Sequence, residues 1–364
     1  MKLSSQLKMN FGKVVLITAM FILFNIFIAF FNNAILTSSY SQGITQSFDF
    51  KVHLWINVVI GLFAGIFGGS LLILVNSRVF RRKSFGFTML TTAVAYILLF
   101  IIITAIATII GSRADPGDQM GVSDSLKNIV QILFTPILFT YFIMWGVIIL
   151  FTLFLLQVND KFGPGILLKF IMGKYHHARK EERIFMFLDM RSSTTIAEKI
   201  GNEKYFNLLN DMFCDITDTI LDNKGEIYQY VGDEIVISWS LKKGIQNGSF
   251  IRCFFEIQKK LLKLGSIYEE KYGQIPELKA GIHHGQVMAG EIGIVKKDII
   301  YSGDVLNTTA RIQGRCNDYN VNILISSETF ELVQNLEDYK LVPIGSIELK
   351  GKKSKIDLNT VETK

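Results

Sequence analysis

Two aspartates stand where they could hold a hard cation. In "RIFMFLDM" an apolar run rich in β-formers ends on Asp189, and in "IYQYVGDEIVISW", Ile227 to Trp239, an acidic pair interrupts two such runs. The runs are rich in β-branched and aromatic residues and read as strands. Gly232-Asp233 fits the two-residue turn of a tight hairpin, with glycine supplying the positive φ. A solvated turn would explain Asp233 alone. If the strands are neighbours, however, the two carboxylates converge and suit divalent cations, which favour oxygen ligands.

Other polar groups follow at useful spacings. Behind Asp189, "RSST" (Arg191 to Thr194) leads into a helical stretch. Backbone N–H groups at such a start suit a phosphate; the plainer reading is that Ser192 or Ser193 caps the helix. In "YSGDVLNTTARIQGRC", Asn307 and Arg311 are four apart and so share a helix face. An amide and a guanidinium so placed can hold a ribose and stabilise charge on a phosphoryl group. Taken alone, such a pair is ordinary solvated surface.

The elements that must position these groups occupy the second part of the chain. Its 364 residues are 49% hydrophobic, with mean hydropathy +0.34, but the average hides two unlike parts. Four apolar runs, Val14–Phe31, Leu54–Val75, Thr88–Ile110 and Ile129–Leu156, are each long enough to cross a bilayer. Residues 1–156 therefore read as an all-α, four-span membrane domain. Residues 157–183 read as an amphipathic connector at the membrane surface, and residues 184–364 as an α+β domain with a mixed or antiparallel sheet. Within it the sequence predicts helices over Thr194–Ile200, Glu203–Asn223 and about Gly244–Tyr272, a strand at "ELKAGIHHGQV", extended segments near "GEIG" and "DIIYS", and a helix from about Val305.

Charge sets the expected orientation. Lys2, Lys8 and Lys13 precede the first span; Arg78, Arg81, Arg82 and Lys83 follow the second, and a further basic cluster follows the fourth. The loop Ser112–Lys127 instead carries Asp115, Asp118 and Asp124. The bias predicts a multi-pass protein of the cell (inner) membrane, with the N-terminus and the α+β domain cytoplasmic. These clusters largely account for the net charge of +6, so it does not point to nucleic acid. No acidic or basic residue lies inside a span, which argues against an ion pathway. Asn25, Asn57 and the glycines Gly61, Gly65, Gly68 and Gly69 suit helix packing instead. Cys214, Cys253 and Cys316 lack metal-like spacing and read as reduced thiols.

Four stretches, "FLDMRSST", "YQYVGDEIVISW", "KAGIHHGQVMAGEIG" and "YSGDVLNTTARIQ", stand in an order and spacing that resembles the catalytic domain of the class III nucleotidyl cyclases, the adenylate and guanylate cyclase family. The resemblance covers nearly all of the soluble part and none of the spans. It implies two Mg²⁺ or Mn²⁺ per site on Asp189, Asp233 and the backbone of Met190. It further implies a transition-state pair, Asn307 toward the ribose and Arg311 toward the α-phosphate. Lys279, Lys350, Ser192, Ser193 and Thr194 would take the phosphates. It implies a homodimer with two sites at the subunit interface, and ATP, or alternatively GTP, as substrate. At the purine-reading positions stand Gln229 and Ile300, where the family often has lysine or glutamate and an acidic or hydroxyl residue. A glutamine amide donates and accepts, so it suits either purine; an isoleucine side chain offers no hydrogen bond. Ser192 and Ser193 occupy positions where the family commonly has glycine and an aromatic or small residue. The resemblance requires no histidine at His283 or His284, which are expected to pack or to face solvent.

Overall fold

The computed structural model describes residues 5–37, 49–71, 73, 86–87, 90–98, 135–162, 172–295, 297–333, 338–348 and 355–364. The chain forms two compact units, Leu7–Pro164 and Gly165–Lys364.

In the first unit, helices α1 (Ser5–Thr37), α2 (Phe50–Phe63) and α3 (Pro136–Phe162) are predominantly apolar, with their charges near the ends. Among the described residues three stretches, Asn10–Ile35, Phe50–Leu71 and Phe139–Asn159, are long and apolar enough to cross a membrane. The expected third span, Thr88–Ile110, lies largely outside the described residues. Pro136 is the first residue of α3, where its missing N–H belongs to a group without an intrahelical partner anyway. Three of the four glycines act as expected: a Cβ at Gly61, Gly65 or Gly69 would press on Ile22, Thr18 or Ile17 of α1; Gly68 does not, since a Cβ there meets open space. Asn25 and Asn57 are buried and donate to carbonyls of their own helices, those of Phe21 (2.8 Å) and His53 (2.9 Å).

The second unit is built on an eight-stranded mixed sheet. Its strands are β1 (Arg179–Met190), β2 (Glu226–Val231), β3 (Glu234–Ser240), β4 (Leu278–Ile292), β5 (Asp298–Ser302), β6 (Ile323–Ser326), β7 (Tyr339–Glu348) and β8 (Lys355–Thr363). Their order is β2-β3-β1-β4-β6-β8-β7, with β5 paired to β4. Among the described residues only the β4–β6 pair is parallel. β1 lies between β3 and β4, so alternate residues bury on both faces. Ile184, Met186 and Leu188 enter the larger core, against helices α4 (Ser193–Ile200), α5 (Asn202–Asp222), α7 (Ser249–Lys263) and α8 (Gly265–Tyr272). Phe185 and Phe187 enter a smaller core with Val236, Val287, Tyr301 and Val305. Asp189 continues that second series.

Two expectations are corrected here. The amphipathic connector was expected to run to residue 183, yet residues 172–177 form turns and β1 already begins at Arg179. Of the charges in "RKEER", Arg183 is satisfied across strands, while Arg179, Lys180 and Glu182 stay exposed. Arg183, 2% exposed, donates to Glu181 (2.9 Å), Glu226 (2.7 Å) and Ser238 (3.0 Å), with its guanidinium 4.6 Å from the Tyr301 ring centroid. The helix expected over Gly244–Tyr272 is broken into α6 (Leu241–Ile245), α7 and α8. Asn247 (φ 54°) and Gly248 (φ 56°) enter the left-handed region between α6 and α7, which no continuous right-handed helix permits.

Over the second face lies α9 (Asp304–Gly314), packed on β4 and β1. Its approach depends on Gly281, where a Cβ would overlap the backbone of Gln313, and on Gly285, where one would meet Val305. Gly281→Ala must push α9 off the sheet. It is expected to cost about 1–3 kcal/mol, as overpacked cores do, and chemical denaturation of the full chain would show it.

Candidate active site

Asp189 sits one residue from the end of β1, with Lys279 of β4 as its direct cross-strand partner. Asp233 sits at the tip of the β2–β3 hairpin, just past Gly232 (φ 63°), with Val231 and Glu234 closing the turn as a pair. Because β1 and β3 are neighbours, the two carboxylates converge as the sequence predicts. Burial first, then the charge and hydrogen bond of Asp233, hold the Asp189 carboxyl above its ordinary range, outweighing the nearby Lys279 ammonium.

That cluster contains two groups the sequence did not single out, Glu234 and Gln313, beside Lys279, which was expected at the phosphates. Glu234 follows Asp233, and its carboxyl is pushed up to about 7 by burial, then by the charges of Asp189 and Asp233. Gln313 of α9 donates from Nε2 to Asp189 Oδ2 at 2.9 Å. Lys279 Nζ lies 3.2 Å from the same oxygen. Strand alternation could have revealed Glu234, since it shares a face with Val236. Gln313 required knowledge of how α9 docks.

The donor set fits a divalent cation. Two half-buried carboxylates close enough to share a hydrogen bond, with a third beside them, leave local negative charge that one ammonium does not cancel. Among the described residues no group of three or more His, Cys, Asp or Glu side chains is arranged to hold a metal, so water and substrate oxygens would complete any shell. Met190 ends β1 with its side chain in the larger core, 1% exposed, leaving only its backbone to serve a ligand.

At the turn behind β1, Ser192 takes a left-handed conformation (φ 53°), and its side chain makes no cap bond to α4. The capping alternative therefore does not hold for Ser192. The positive φ also explains why glycine suits this place: a non-glycine residue there costs about 1–2 kcal/mol. Ser192→Gly is expected to stabilise the fold by up to about 1 kcal/mol, less the entropy glycine adds to the unfolded chain, as a raised denaturation midpoint would report. Ser193 begins α4 and bonds to Tyr205, and Thr194 is exposed in the first turn.

On α9, Val305, Thr308, Thr309, Ile312 and Gln313 are buried, while Asn307 and Arg311 lie on the exposed side. Gln229 is turned toward the Asp189 face by a β-bulge. Ile227 and Tyr230 both pack on the larger core or α5, and the extra residue Tyr228 lets Gln229 pair with Val236 of the smaller core. Tyr228 Oη accepts from the Tyr301 backbone N–H at 3.2 Å, which brings β2 and β5 together. Ile300 is not brought to the same face as Gln229. Its neighbours Ile299 and Tyr301 fill the smaller core, so alternation directs Ile300 to the other side of β5. Lys350 lies outside the described residues. His283 and His284 bond to Ser326 (2.8 Å) and Thr329 (2.9 Å) beside β6.

A mixed sheet that sets one aspartate at a strand end and another at a hairpin tip, beneath a helix bearing asparagine and arginine, defines the class III cyclase fold. The family model for the adenylate and guanylate cyclase catalytic domain matches residues 176–361, and the chain belongs to that family. It is 33% identical over 204 residues to Adenylate cyclase 2 of Rhizobium meliloti (strain 1021), covering 56% of each chain. It is 31% identical over 174 residues to retinal guanylyl cyclase 2 of Homo sapiens, covering 46% of this chain and 15% of that one. The structure of a bacterial light-regulated adenylyl cyclase superposes with a TM-score of 0.50 at 21% identity, over 56% of this chain and 60% of that one, a likeness of fold. The chain spans just over half the length of its Rhizobium relative.

Proposed function

We propose that this chain is a membrane-anchored nucleotidyl cyclase that converts ATP to the 3′,5′-cyclic nucleotide and pyrophosphate. The observation that carries the reading is the convergence of Asp189 and Asp233 beneath the helix that bears Asn307 and Arg311. In the reaction the ribose 3′-oxygen bonds to the α-phosphorus, the bond from that phosphorus to the pyrophosphate oxygen breaks, and the hydroxyl proton is lost. Asp189 and Asp233, with the Met190 carbonyl, would hold two Mg²⁺ or Mn²⁺, which when bound lower the hydroxyl's pKa and offset phosphate charge. The remaining work belongs to the side chains and is mainly positioning and electrostatic. Asn307 orients the ribose, Arg311 meets charge developing on the α-phosphate, and the turn Ser192–Thr194 offers N–H donors to the phosphates. Lys279, 3.2 Å from Asp189, would exchange that partner for a terminal phosphate oxygen.

The site is completed by a second copy of the chain. Residues two apart on a helix do not face the same way. With Gln313 bonded to its own Asp189, Arg311 is directed away from it. A homodimer with two equivalent sites satisfies this geometry. The apolar helices and the basic flanks support a multi-pass anchor in the cell membrane with the catalytic domain cytoplasmic. Gln229 on the site face could serve adenine or guanine, so GTP is the alternative substrate.

The test uses the full chain in membranes or detergent with Mn²⁺ and either ATP or GTP. Cyclic AMP with equimolar pyrophosphate is expected. Cyclic GMP alone would reassign the base. Nucleotide bound without turnover of either would replace the enzyme with a binding module.

A further inference from the structure

Helix α9 touches the carboxylates of its own subunit through Gln313. It also carries Asn307 and Arg311 on its other side. In a homodimer of the kind proposed above, on which this inference rests, those two side chains serve the partner's carboxylates. One rigid helix would then belong to both sites. We propose that Gln313 is a positioning residue that couples the two active sites, by tying Asp189 of one site to the helix that presents Asn307 and Arg311 to the other.

The local structure makes such a tie stiff. Gln313 is 7% exposed, so its side chain has little room to reorient. Its backbone lies directly against Gly281, with no side chain between helix and strand. Gly281 is two residues from Lys279, which shares Asp189 Oδ2 with Gln313. Any movement of Asp189 on taking up a cation is therefore felt at Gln313, and α9 is held to β4 at that same point. Arg311 lies half a turn earlier on the helix, so a small tilt of α9 about the Gln313–Gly281 contact displaces its guanidinium. Misplacing a catalytic group by about 1 Å can cost about 10²-fold in rate.

Mixed dimers of the full chain separate this coupling from a local role. Pairing an Arg311→Ala subunit with an Asp233→Ala subunit leaves one complete site, with carboxylates from the first and Asn307 and Arg311 from the second. Gln313→Met, similar in length but without the donor, is then placed only in the second subunit, whose own carboxylates are not part of the working site. The expected result is a fall of about 10-fold or more in kcat at the working site, with Mn²⁺ binding by the first subunit, followed by electron paramagnetic resonance, unchanged. In the Gln313→Met homodimer Mn²⁺ binding itself should weaken about 10–100-fold, as when an outer partner of a metal ligand is lost. An unchanged kcat in the mixed dimer overturns the coupling and leaves Gln313 a local support. If Gln313→Met fails to fold, Gln313→Glu is read in the same pair by the same criteria. A mixed dimer that assembles but is inactive even with Gln313 intact refutes the shared-site reading, and this inference with it.

Discussion

Asp233→Ala is expected to reduce cyclic-nucleotide formation at least about 10²–10³-fold, the loss typical of removing one group that stabilises transition-state charge. The structure indicates why nothing substitutes. Once Asp233 is gone, Asp189 keeps Lys279 at 3.2 Å and Gln313 at 2.9 Å, and the cluster becomes an ordinary ion pair with Glu234 beside it. Burial and the Asp233 charge now hold the Asp189 carboxyl above its usual range. Removing the second of these causes lets it ionise more easily, so the folded state should be no less stable than before. The expected pattern is thus lost product, lost Mn²⁺ binding and an unaltered or higher denaturation midpoint. Activity lost together with a lowered midpoint would instead mark Asp233 as a fold-supporting turn residue, the plain reading its hairpin position also permits.

Much of this arrangement was legible because strands and turns write local patterns. The hairpin at Gly232-Asp233 and the exit of β1 at Asp189 follow from β-rich runs and a turn dipeptide, and a helix was expected from about Val305, with Asn307 and Arg311 on one face. What stayed hidden was set by contacts distant in sequence. "RKEER" has the composition of a solvated helical face, and it is Glu226 and Ser238, 43 and 55 residues away, that draw its last residue, Arg183, into the buried part of a strand. The break at Asn247-Gly248 is a backbone event inside an otherwise continuous amphipathic pattern. Gln229 illustrates the same limit at the site. Its position relative to the glycine could be counted, but its face depends on a bulge at Tyr228 that shifts strand parity. Ile300, counted in the same way, lies on a regular strand and faces away. Lys279 was read as a phosphate ligand from position alone, whereas the register opposite Asp189 makes it a counter-ion first.

Arg311→Ala is expected to lower kcat by about 10²–10³-fold while leaving Mn²⁺ binding intact, because in the proposed reaction its guanidinium would meet charge that appears only in the transition state. Arg311→Lys should recover little, since an ammonium lacks the planar fork that meets two phosphate oxygens at once. The geometry adds a sharper expectation. Arg311 lies on the exposed side of α9 while Gln313, two residues on, is buried against Asp189 of the same subunit. The arginine and the carboxylates of one working site should therefore come from different subunits. Two inactive variants, Arg311→Ala and Asp233→Ala, ought then to complement. Random pairing of equal amounts makes half the dimers mixed, each with one intact site of two, so about a quarter of wild-type activity should return. If activity does not return although size-exclusion profiles show mixed dimers, Arg311 and Asp233 act within one subunit. The exposed face of α9 would then have to turn inward before catalysis, breaking the Gln313–Asp189 bond as it did so.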